Sequence, residues 1–374
     1  MAEHTQPTLV DDRRHRVGVT TPQHWRARVC AAVREELDDF LANHCADQLR
    51  GSHVDIATDV LRGFTDGGKF VRSTFMYLAW TCGSENPDRS RPALRASASL
   101  ELLHAFALLQ DDVMDSAQLR RGRPAAHVAF SSWHRERRLG GDPDRFGESA
   151  AVLLGDLCLV WAEQMVRTSG LDHRALSRVW PRYDMMRTEL AIGQFADLVN
   201  DSRALPSIDE VLDVLRRKSG NYTVRRPLEL GAAMAGCTPD VIDALSGYGG
   251  AIGEAFQLRD DVLGVVGSVT ETGKPTHTDL ADRKATSVVV AAHRLADPTM
   301  RRELTELMTA PRLDDEDIDR WRALILASGA LGWIEDLISE RLEYGLSCLN
   351  RPDIPHGTRT ALTEMAMFCT ERLA

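Results

Sequence analysis

The chain has 374 residues, of which 43% are hydrophobic and 27% charged, and a formal net charge of −10 at pH 7. This composition is typical of a globular protein, and so acidic a chain is not expected to bind nucleic acid in general, although a local basic pocket for a small anion is compatible with it. The seven cysteines are odd in number and form no C-x-x-C pair, which argues against a disulfide framework or a zinc site. They favour reduced thiols in a cytoplasmic protein.

Residues 1–21 are polar and aperiodic, which predicts a flexible N-terminal extension before one domain spanning 22–374. This extension lacks the apolar segment of a secretory signal. No stretch reaches the ~18 uninterrupted apolar residues of a membrane span. The nearest candidate, residues 149–165, is interrupted by Asp156 and Glu163 and is interpreted as a buried helix.

From Pro22 onward, segments with helical periodicity alternate with short breaks. In residues 29–49, for example, Val29, Val33 and Leu37 fall on one stripe. Further helices are predicted over 71–81, 92–117, 149–168, 171–199, 208–235, 239–265, 285–295, 300–309, 317–327, 331–349 and 357–372, with main loops at 120–147, 200–207, 267–279 and 310–317. Because convincing alternating strands are absent, the fold class is predicted to be all-α, as a single large helical bundle.

The segment from Leu102 to His127 carries a cluster of acids at the end of an apolar run. On a helix, Asp111 and Asp115 share one stripe, with Asp112 beside it. Two carboxylates ~4 Å apart at an effective dielectric constant of ~20 would repel by ~4 kcal/mol, so a cation should accompany them. Hard oxygen ligands of this kind suit Mg²⁺, although an isolated cluster is also typical of a solvated helix end.

A second pair of acids, Asp260 and Asp261, also follows an apolar helical segment. Each acidic motif is accompanied by basic residues in a nearby predicted loop: Arg120 and Arg121 for the first motif, and Lys274 and Lys284 for the second. Acids for metal ions and basic side chains for the same anion together indicate a diphosphate-binding site.

Six motifs follow one another along the chain. They are "GGKFVR" from Gly67, "DDVMDSAQLRRGRPAAH" from Asp111, "GDL" from Gly155, "GQFADL" from Gly193, "KSGNYTVRRPLELGA" from Lys218 and "GKPTHTDLADRKAT" from Gly273. With these motifs, residues 67–286 resemble the trans-isoprenyl diphosphate synthase (polyprenyl synthetase) family. The details are most similar to bacterial, and particularly actinobacterial, geranylgeranyl diphosphate synthases. The resemblance implies an isoprenoid-synthase helical bundle with a central active-site cavity, assembled as a homodimer.

The resemblance also implies a reaction, in which an allylic diphosphate (dimethylallyl, geranyl or farnesyl) condenses with isopentenyl diphosphate by Mg²⁺-dependent ionisation, condensation and elimination. Of about three Mg²⁺ ions, Asp111 and Asp115 would bind two and Asp260 the third, with Asp112 in the same catalytic set. The residues implied to contact the allylic diphosphate are Arg120, Lys218, Ser219, Gln257, Lys274 and Lys284. Ser219 stands where the family usually has threonine, which keeps a hydroxyl group.

Isopentenyl diphosphate would be held without metal, by Lys69, Arg72, His104 and Arg121. Helical spacing by itself places His104 on the stripe of Asp111, at a pocket wall, and a hydrogen-bonded core histidine is the alternative interpretation.

Product length is expected to depend on the apolar stripe that precedes Asp111, which contains Ala107 and Leu103. One isoprene unit of about 5 Å corresponds to about one helical turn. The small Ala107 leaves room, whereas Phe106 narrows the pocket from the side. By the family pattern this predicts geranylgeranyl diphosphate, with farnesyl diphosphate next, and ordinary core packing is the alternative role of Phe106.

Two departures from the family pattern carry expectations. Gly264 replaces the last acid of the second motif, which weakens the third metal site. Ser73 replaces the usual proline after Arg72 and is expected to loosen that loop.

Two other functions are considered. A class I terpene cyclase would need no site for isopentenyl diphosphate and would carry an N-D-x-x-S-x-x-x-E motif. The nearest match, at Asn200, has Ala204 and Ile208 where the serine and the acid belong. A noncatalytic partner subunit of another prenyl synthase would tend to have lost acids from one or both motifs. Here the acids Asp111, Asp112, Asp115, Asp260 and Asp261 are all present.

Overall fold

The structure, a computed structural model, describes residues 23–84, 91–201, 205–266, 278–281 and 283–371, so the predicted extension 1–21 lies outside it. The first helices are α1 Gln23–Phe40, α2 Ala46–Arg50, α3 Ala57–Thr65, α4 Val71–Trp80, α5 Arg91–Met114, α6 Ala126–Glu136, α7 Pro143–Arg167 and α8 His173–Asp201. They are followed by α9 Ile208–Leu215, α10 Arg226–Ala235, α11 Pro239–Val266, α12 Thr278–Ala281, α13 Ser287–Leu295, α14 Pro298–Thr309, α15 Asp315–Ala327, α16 Ala330–Cys348 and α17 His356–Thr370.

Two π-helical turns join neighbouring helices. One, Leu41–Cys45, connects α1 to α2, and the other, Arg216–Arg225, connects α9 to α10 and is called the π segment below. The strands in the described part of the chain are β1 Leu119–Arg120 and β2 Arg123–Pro124, which form one short antiparallel hairpin. The predicted all-α helical bundle is therefore confirmed.

Helices α5 and α11, which carry the two acidic motifs, lie inside the bundle. Helix α5 packs against α7, α4, α1 and α3, and its residues Ala96, Leu100 and Leu103 are fully buried. Helix α11 packs against α16, the π segment, α10 and α17. Because each of these helices is packed against several others, the core fixes the position of the acidic residues near its C-terminal end.

The π segment approaches both neighbouring helices at glycines. A Cβ atom on Gly193 of α8 would lie 2.7 Å from the backbone nitrogen of Lys218, and one on Gly253 of α11 would lie 2.3 Å from the carbonyl oxygen of Gly220. Real Cβ atoms do not approach backbone atoms so closely. These two glycines therefore allow the π segment to bring Lys218 into the bundle.

The predicted loop over 120–147 is wrong, because it contains the β-hairpin, α6 and the start of α7. Helix α6 buries Phe130 and Trp133, and Asp142 caps α7 by accepting a hydrogen bond from the backbone N–H of Asp144 at 2.9 Å. The dense arginines and the glycine pair of this stretch obscure the apolar stripe. Helix α3 was also not predicted, and the helix predicted over 208–235 includes the π segment.

Helix α7 contains the sequence that was interpreted as buried. By length and composition α7 could cross a membrane, which is weak evidence because core helices pass the same test. One side, with Leu154, Cys158 and Trp161, is buried in the core, so the interpretation holds for that side. The other side of α7 exposes apolar residues to solvent.

Candidate active site

Asp111 and Asp115 lie one turn apart at the C-terminal end of α5, and each is paired with a lysine from a distant part of the chain. Lys218 Nζ of the π segment lies 3.1 Å from Asp111 Oδ1. Lys284 Nζ, just before α13, lies 2.6 Å from Asp115 Oδ2. The predicted repulsion between the carboxylates is thus offset by two ammonium groups.

Asp112 faces the interior and is fully buried. Arg120 Nε donates to Asp112 Oδ1 at 2.9 Å, and a second guanidinium nitrogen contacts the same oxygen. Burial raises the pKa of Asp112, and Arg120 opposes that shift. A buried carboxylate needs such a partner, so Asp112 holds Arg120 in place at the edge of the acidic cluster.

The β-hairpin determines where Arg120 and Arg121 point. Arg120 pairs with Arg123, and the two residues between them, Arg121 and Gly122, have φ angles of 53° and 74°. Positive φ at both central residues is the requirement of a tight type I′ hairpin turn. Arg121 Nη1 donates to the carbonyl oxygen of Asp66 at 2.9 Å, whereas Arg120 donates to Asp112. The two consecutive arginines therefore point to different parts of the site.

The second acidic motif is joined to the first through the start of α13. Asp261 is buried, and its Oδ2 accepts hydrogen bonds from Ser287 N at 3.0 Å and Ser287 Oγ at 2.6 Å. Ser287 comes three residues after Lys284, which contacts Asp115. One short segment therefore contacts both motifs and holds the ends of α5 and α11 near each other.

The other residues predicted around the second motif have different positions. Asp260 is half-buried at the end of α11. Gln257 Nε2 donates to Asp261 Oδ1 at 3.3 Å, so this amide supports Asp261 in the structure. Ser219 is half-buried in the π segment, beside Lys218. Lys274 lies outside the described residues.

Asp197 is a site residue that the sequence analysis missed. Its carboxylate lies 2.5 Å from Lys218 Nζ, so Lys218 is shared between Asp197 and Asp111. Burial tends to lower the pKa of Lys218, but the charges of Asp111 and Asp197 outweigh it and raise the pKa, so the ammonium stays charged. The signal was present, because Asp197 is the acid of the "GQFADL" motif.

The acidic cluster fits the ligand preferences of Mg²⁺. Its ligands would be carboxylate oxygens, and the described residues contain no group of three or more acidic, histidine or cysteine side chains arranged to hold a metal ion alone. Mg²⁺ usually takes one or two carboxylates and completes its octahedron with water and phosphate oxygens. Asp111 and Asp115 would therefore hold Mg²⁺ together with a bound diphosphate.

A second basic site lies next to this cluster, around Arg72 of α4. Its Nη2 donates to Thr223 Oγ1 at 3.0 Å, and the guanidinium carbon lies 4.5 Å from the ring centre of Tyr222. Within the described part of the chain, two of the site's buried polar atoms, Arg72 Nε and His104 Nδ1, have no hydrogen-bond partner. Buried polar atoms normally have partners, so this site is suited to a ligand.

His104 stands at the wall of this second site, as its helical spacing predicts. Its ring centre lies 6.4 Å from that of Tyr222. Burial, then the charges of Arg72 and Arg121, lower the pKa of His104 well below its usual range. His104 is therefore neutral at pH 7, and can accept or donate a hydrogen bond without adding charge.

Lys69 and Ser73 flank Arg72 differently. Lys69 is exposed, and its carbonyl oxygen accepts a hydrogen bond from Arg26. Phe70 then begins α4 with a left-handed φ of 49°. The expected loosening at Ser73 is wrong, because Ser73 lies in the first turn of α4, is fully buried and contacts Glu101 Oε1 at 2.6 Å.

The stripe predicted to measure product length lies in α5, in the turns that precede Asp111. Leu103 is fully buried, and Phe106 and Ala107 are half-buried against the core. Gln110 points to α7 instead, where its Nε2 donates to the carbonyl oxygen of Val152 at 3.3 Å. The chain length that this stripe allows stays a prediction.

Comparisons with known proteins agree with this geometry. The family model described as polyprenyl synthetase matches residues 55–325, more than half of the chain. Geranylgeranyl diphosphate synthase of Mycobacterium tuberculosis is 34% identical over 284 residues, 75% of each chain. Nonaprenyl diphosphate synthase of the same organism is 28% identical over 328 residues, 87% of this chain and 89% of that one.

A solved structure is similar over nearly the whole fold. It is geranylgeranyl pyrophosphate synthase from Corynebacterium glutamicum, complexed with isoprenyl diphosphate and magnesium. It is 38% identical, with a TM-score of 0.85, and covers 92% of this chain and 99% of that chain. Because the family model matches most of the chain, the chain belongs to the polyprenyl synthetase family of trans-prenyltransferases.

Proposed function

We propose that the protein condenses an allylic diphosphate with isopentenyl diphosphate and releases geranylgeranyl diphosphate as its main product. The observation that carries this proposal is the presence of two adjacent anion sites of different chemistry. One combines Asp111 and Asp115 with Lys218 and Lys284, and suits a metal-bound diphosphate. The other is built around Arg72 and suits a diphosphate without metal.

In the first site, the residues would prepare the allylic diphosphate to leave. Asp111 and Asp115 would hold two Mg²⁺ ions and Asp260 a third, and the bound metal neutralises the charge that develops on the leaving diphosphate. Lys218 and Lys284, which contact these two carboxylates, would also bind the diphosphate oxygens. Arg120, fixed by Asp112, adds a guanidinium at the same edge. We also assign Ser219, Gln257 and Lys274 to this substrate.

In the second site, Lys69, Arg72 and Arg121 would bind the diphosphate of isopentenyl diphosphate, with neutral His104 as a hydrogen-bonding neighbour. The allylic carbon–oxygen bond would break with release of diphosphate, the double bond of isopentenyl diphosphate would attack the allylic carbon to form a carbon–carbon bond, and a proton would leave to give the new double bond. We assign no side chain as the acceptor of that proton.

Product analysis tests this function. The protein would be incubated with Mg²⁺, isopentenyl diphosphate and, in separate reactions, dimethylallyl, geranyl or farnesyl diphosphate, and the products measured by mass spectrometry. We expect each primer to be extended to the twenty-carbon diphosphate. A main product of fifteen carbons, or of more than twenty, would contradict the assigned length while leaving the reaction class intact.

Replacing Ala107 by Phe is expected to shorten the main product to farnesyl diphosphate. The half-buried Ala107 lies about one turn before Asp111, a rise close to one isoprene unit, so a ring there should stop the chain one unit earlier. Ala244→Phe, the same change at a half-buried position of α11, is the control and should leave the product length unchanged. An unchanged product in Ala107→Phe would show that this stripe does not line the chain pocket.

We further propose a homodimer, supported by the solvent-facing side of α7 and α8. The large exposed side chains of this apolar face are Leu153, Leu157, Val160, Ile192, Phe195 and Val199. Within each helix their spacing puts them on one face. Arg187 Nη1 of α8 lies 3.0 Å from Glu163 Oε2 of α7, so an ion pair joins the two helices. Exposed apolar surface of this kind is typical of a protein–protein interface, and a second copy is its proposed occupant.

The double variant Leu153→Asp/Phe195→Asp is expected to convert the dimer to a monomer, because it would bury four unpaired charges per dimer at the apolar face. Light scattering across a range of protein concentrations measures the mass. Leu326→Asp, at an exposed apolar residue of α15, is the control and should stay dimeric. A double variant with the mass of the wild type would place any interface elsewhere.

We also propose a cytoplasmic location. The cysteines in the described part of the chain are free, and burial raises the pKa of the Cys45 thiol to about 12, as expected for reduced core thiols.

A further inference from the structure

A buried carboxylate, Glu101, lies beneath the second basic site. It belongs to α5, and 7% of the residue is exposed. Its Oε1 lies 2.6 Å from Ser73 Oγ of α4, and its Oε2 would be 3.8 Å from a Cβ atom placed on Gly68. Glu101 therefore contacts the start of α4 and lies close to Gly68, in the glycine pair that precedes Lys69.

The hydroxyl of Ser73 has two acceptors within reach but one hydrogen. The carbonyl oxygen of Phe70 lies 3.1 Å away and the carboxylate of Glu101 lies 2.6 Å away. An ionised carboxylate only accepts, and hydrogen bonds to it are the stronger and shorter ones. The hydroxyl therefore donates to Glu101. Proline at this position could not provide that hydrogen bond.

The negative charge of Glu101 offsets the positive charges of Arg72 and Arg121. Arg72 directly precedes Ser73, which contacts Glu101, and Arg121 donates to the carbonyl oxygen of Asp66, next to the glycine pair that Glu101 approaches. Burial raises the pKa of Glu101, whereas the hydrogen bond from Ser73 and the charges of Arg72 and Arg121 oppose that rise. Burial lowers the pKa of Arg121, and so do the charges of Arg120 and Arg72, so these arginines repel one another when no anion is bound. In a site of low effective dielectric such repulsion would displace flexible side chains.

We propose that Ser73 and Glu101 form a positioning pair that keeps Arg72 and Arg121 in the geometry that binds the diphosphate of isopentenyl diphosphate. Neither residue touches the substrate. Ser73 fixes one carboxylate oxygen, and the carboxylate supplies the counter-charge that holds the two guanidinium groups together. The inference rests on the proposed function and deepens it, because it assigns residues to one substrate's site and to that site alone.

Steady-state kinetics of three single variants test the pair, with each substrate varied in turn. Glu101→Gln keeps the shape and an acceptor oxygen but removes the charge, and should raise the KM for isopentenyl diphosphate about tenfold. Ser73→Ala removes the hydroxyl and should raise it about fivefold, and Ser73→Thr, which restores a hydroxyl, should recover most of that loss. In each case kcat and the KM for the allylic diphosphate should stay within about twofold of the wild type.

Thr74→Val is the matched control. Thr74 is also fully buried in the first turns of α4, but its hydroxyl donates to the carbonyl oxygen of Phe70, at 2.6 Å, and does not contact Glu101. The Thr74→Val variant should be less stable than the wild type, with no change in the KM for isopentenyl diphosphate or for the allylic diphosphate. An unchanged KM for isopentenyl diphosphate in Glu101→Gln, or an equal loss in all kinetic constants, would overturn the pair's role. A wild-type protein that consumes no isopentenyl diphosphate would overturn the proposed function, and this inference with it.

Discussion

Substituting asparagine for Asp111 is expected to lower kcat by about a thousandfold, with little change in the fold. We propose Asp111 as one of two carboxylates that hold metal, and its side chain is 24% exposed, so a neutral amide of the same size fits there. The substitution removes a negatively charged metal ligand, and a loss of about 4 kcal/mol of transition-state stabilisation corresponds to about a thousandfold in rate. Initial rates of diphosphate release at saturating substrate measure it.

The control for this variant is Asp243→Asn, the same change at an exposed position of α11. It should keep the wild-type rate. Higher Mg²⁺ concentrations should recover part of the activity of Asp111→Asn if weakened metal binding causes the loss. Retention of more than about a tenth of the wild-type kcat by Asp111→Asn at the standard Mg²⁺ concentration would contradict the assignment of Asp111 as a metal ligand.

Replacing Arg120 by Met is expected to lower the free energy of unfolding by about 3 kcal/mol, because it leaves the carboxylate of Asp112 buried without its cation. Asp112 is fully buried, and its hydrogen bonds come from Arg120. Urea unfolding in the presence of a metal chelator measures the effect, so that metal binding does not contribute. Activity should fall as well, since Arg120 is assigned to the leaving diphosphate.

A double variant separates the buried charge from other effects of the substitution. Asp112→Asn/Arg120→Met replaces the pair with neutral side chains and should recover most of the lost stability. Arg137→Met, which breaks an exposed ion pair with Asp55, is the control and should cost less than about 1 kcal/mol. A single Arg120→Met variant as stable as the wild type would show that the contact with Asp112 does not stabilise the fold.

The features that could be predicted from the sequence are local ones. Helix α5 was predicted because its apolar residues follow the helical period, and its acids follow from the same spacing. The position of His104 at a pocket wall follows from that period too, because side chains one and two turns apart share a face. The two acidic motifs could be assigned to one site by their similar composition.

The features that could not be predicted are pairings between distant segments. Lys284 is 169 residues from Asp115, and no local pattern shows that they meet. Asp197 was missed for the same reason, since its role depends on Lys218 reaching it from the π segment. The sequence predicts that Ser73 loosens a loop, because its partner Glu101 is visible only when α4 and α5 are packed together.

Product length is the property least accessible from the fold. A geranylgeranyl and a nonaprenyl diphosphate synthase both resemble this chain over most of its length. Their difference must therefore depend on a few side chains along the chain pocket, where one turn of α5 is about as long as one isoprene unit. Phe106 and Ala107 are the residues on which our assignment of the twenty-carbon product rests.

We propose that an allylic diphosphate and isopentenyl diphosphate bind at two separate sites and react only when both are bound. The most direct measurement follows radiolabelled isopentenyl diphosphate into a longer prenyl diphosphate, in reactions that contain Mg²⁺ with both substrates or with either substrate alone. We predict label in the longer product, with release of inorganic diphosphate, only when both substrates and Mg²⁺ are present. A hydrocarbon formed from an allylic diphosphate alone, or no turnover by a folded protein with both substrates, would contradict it.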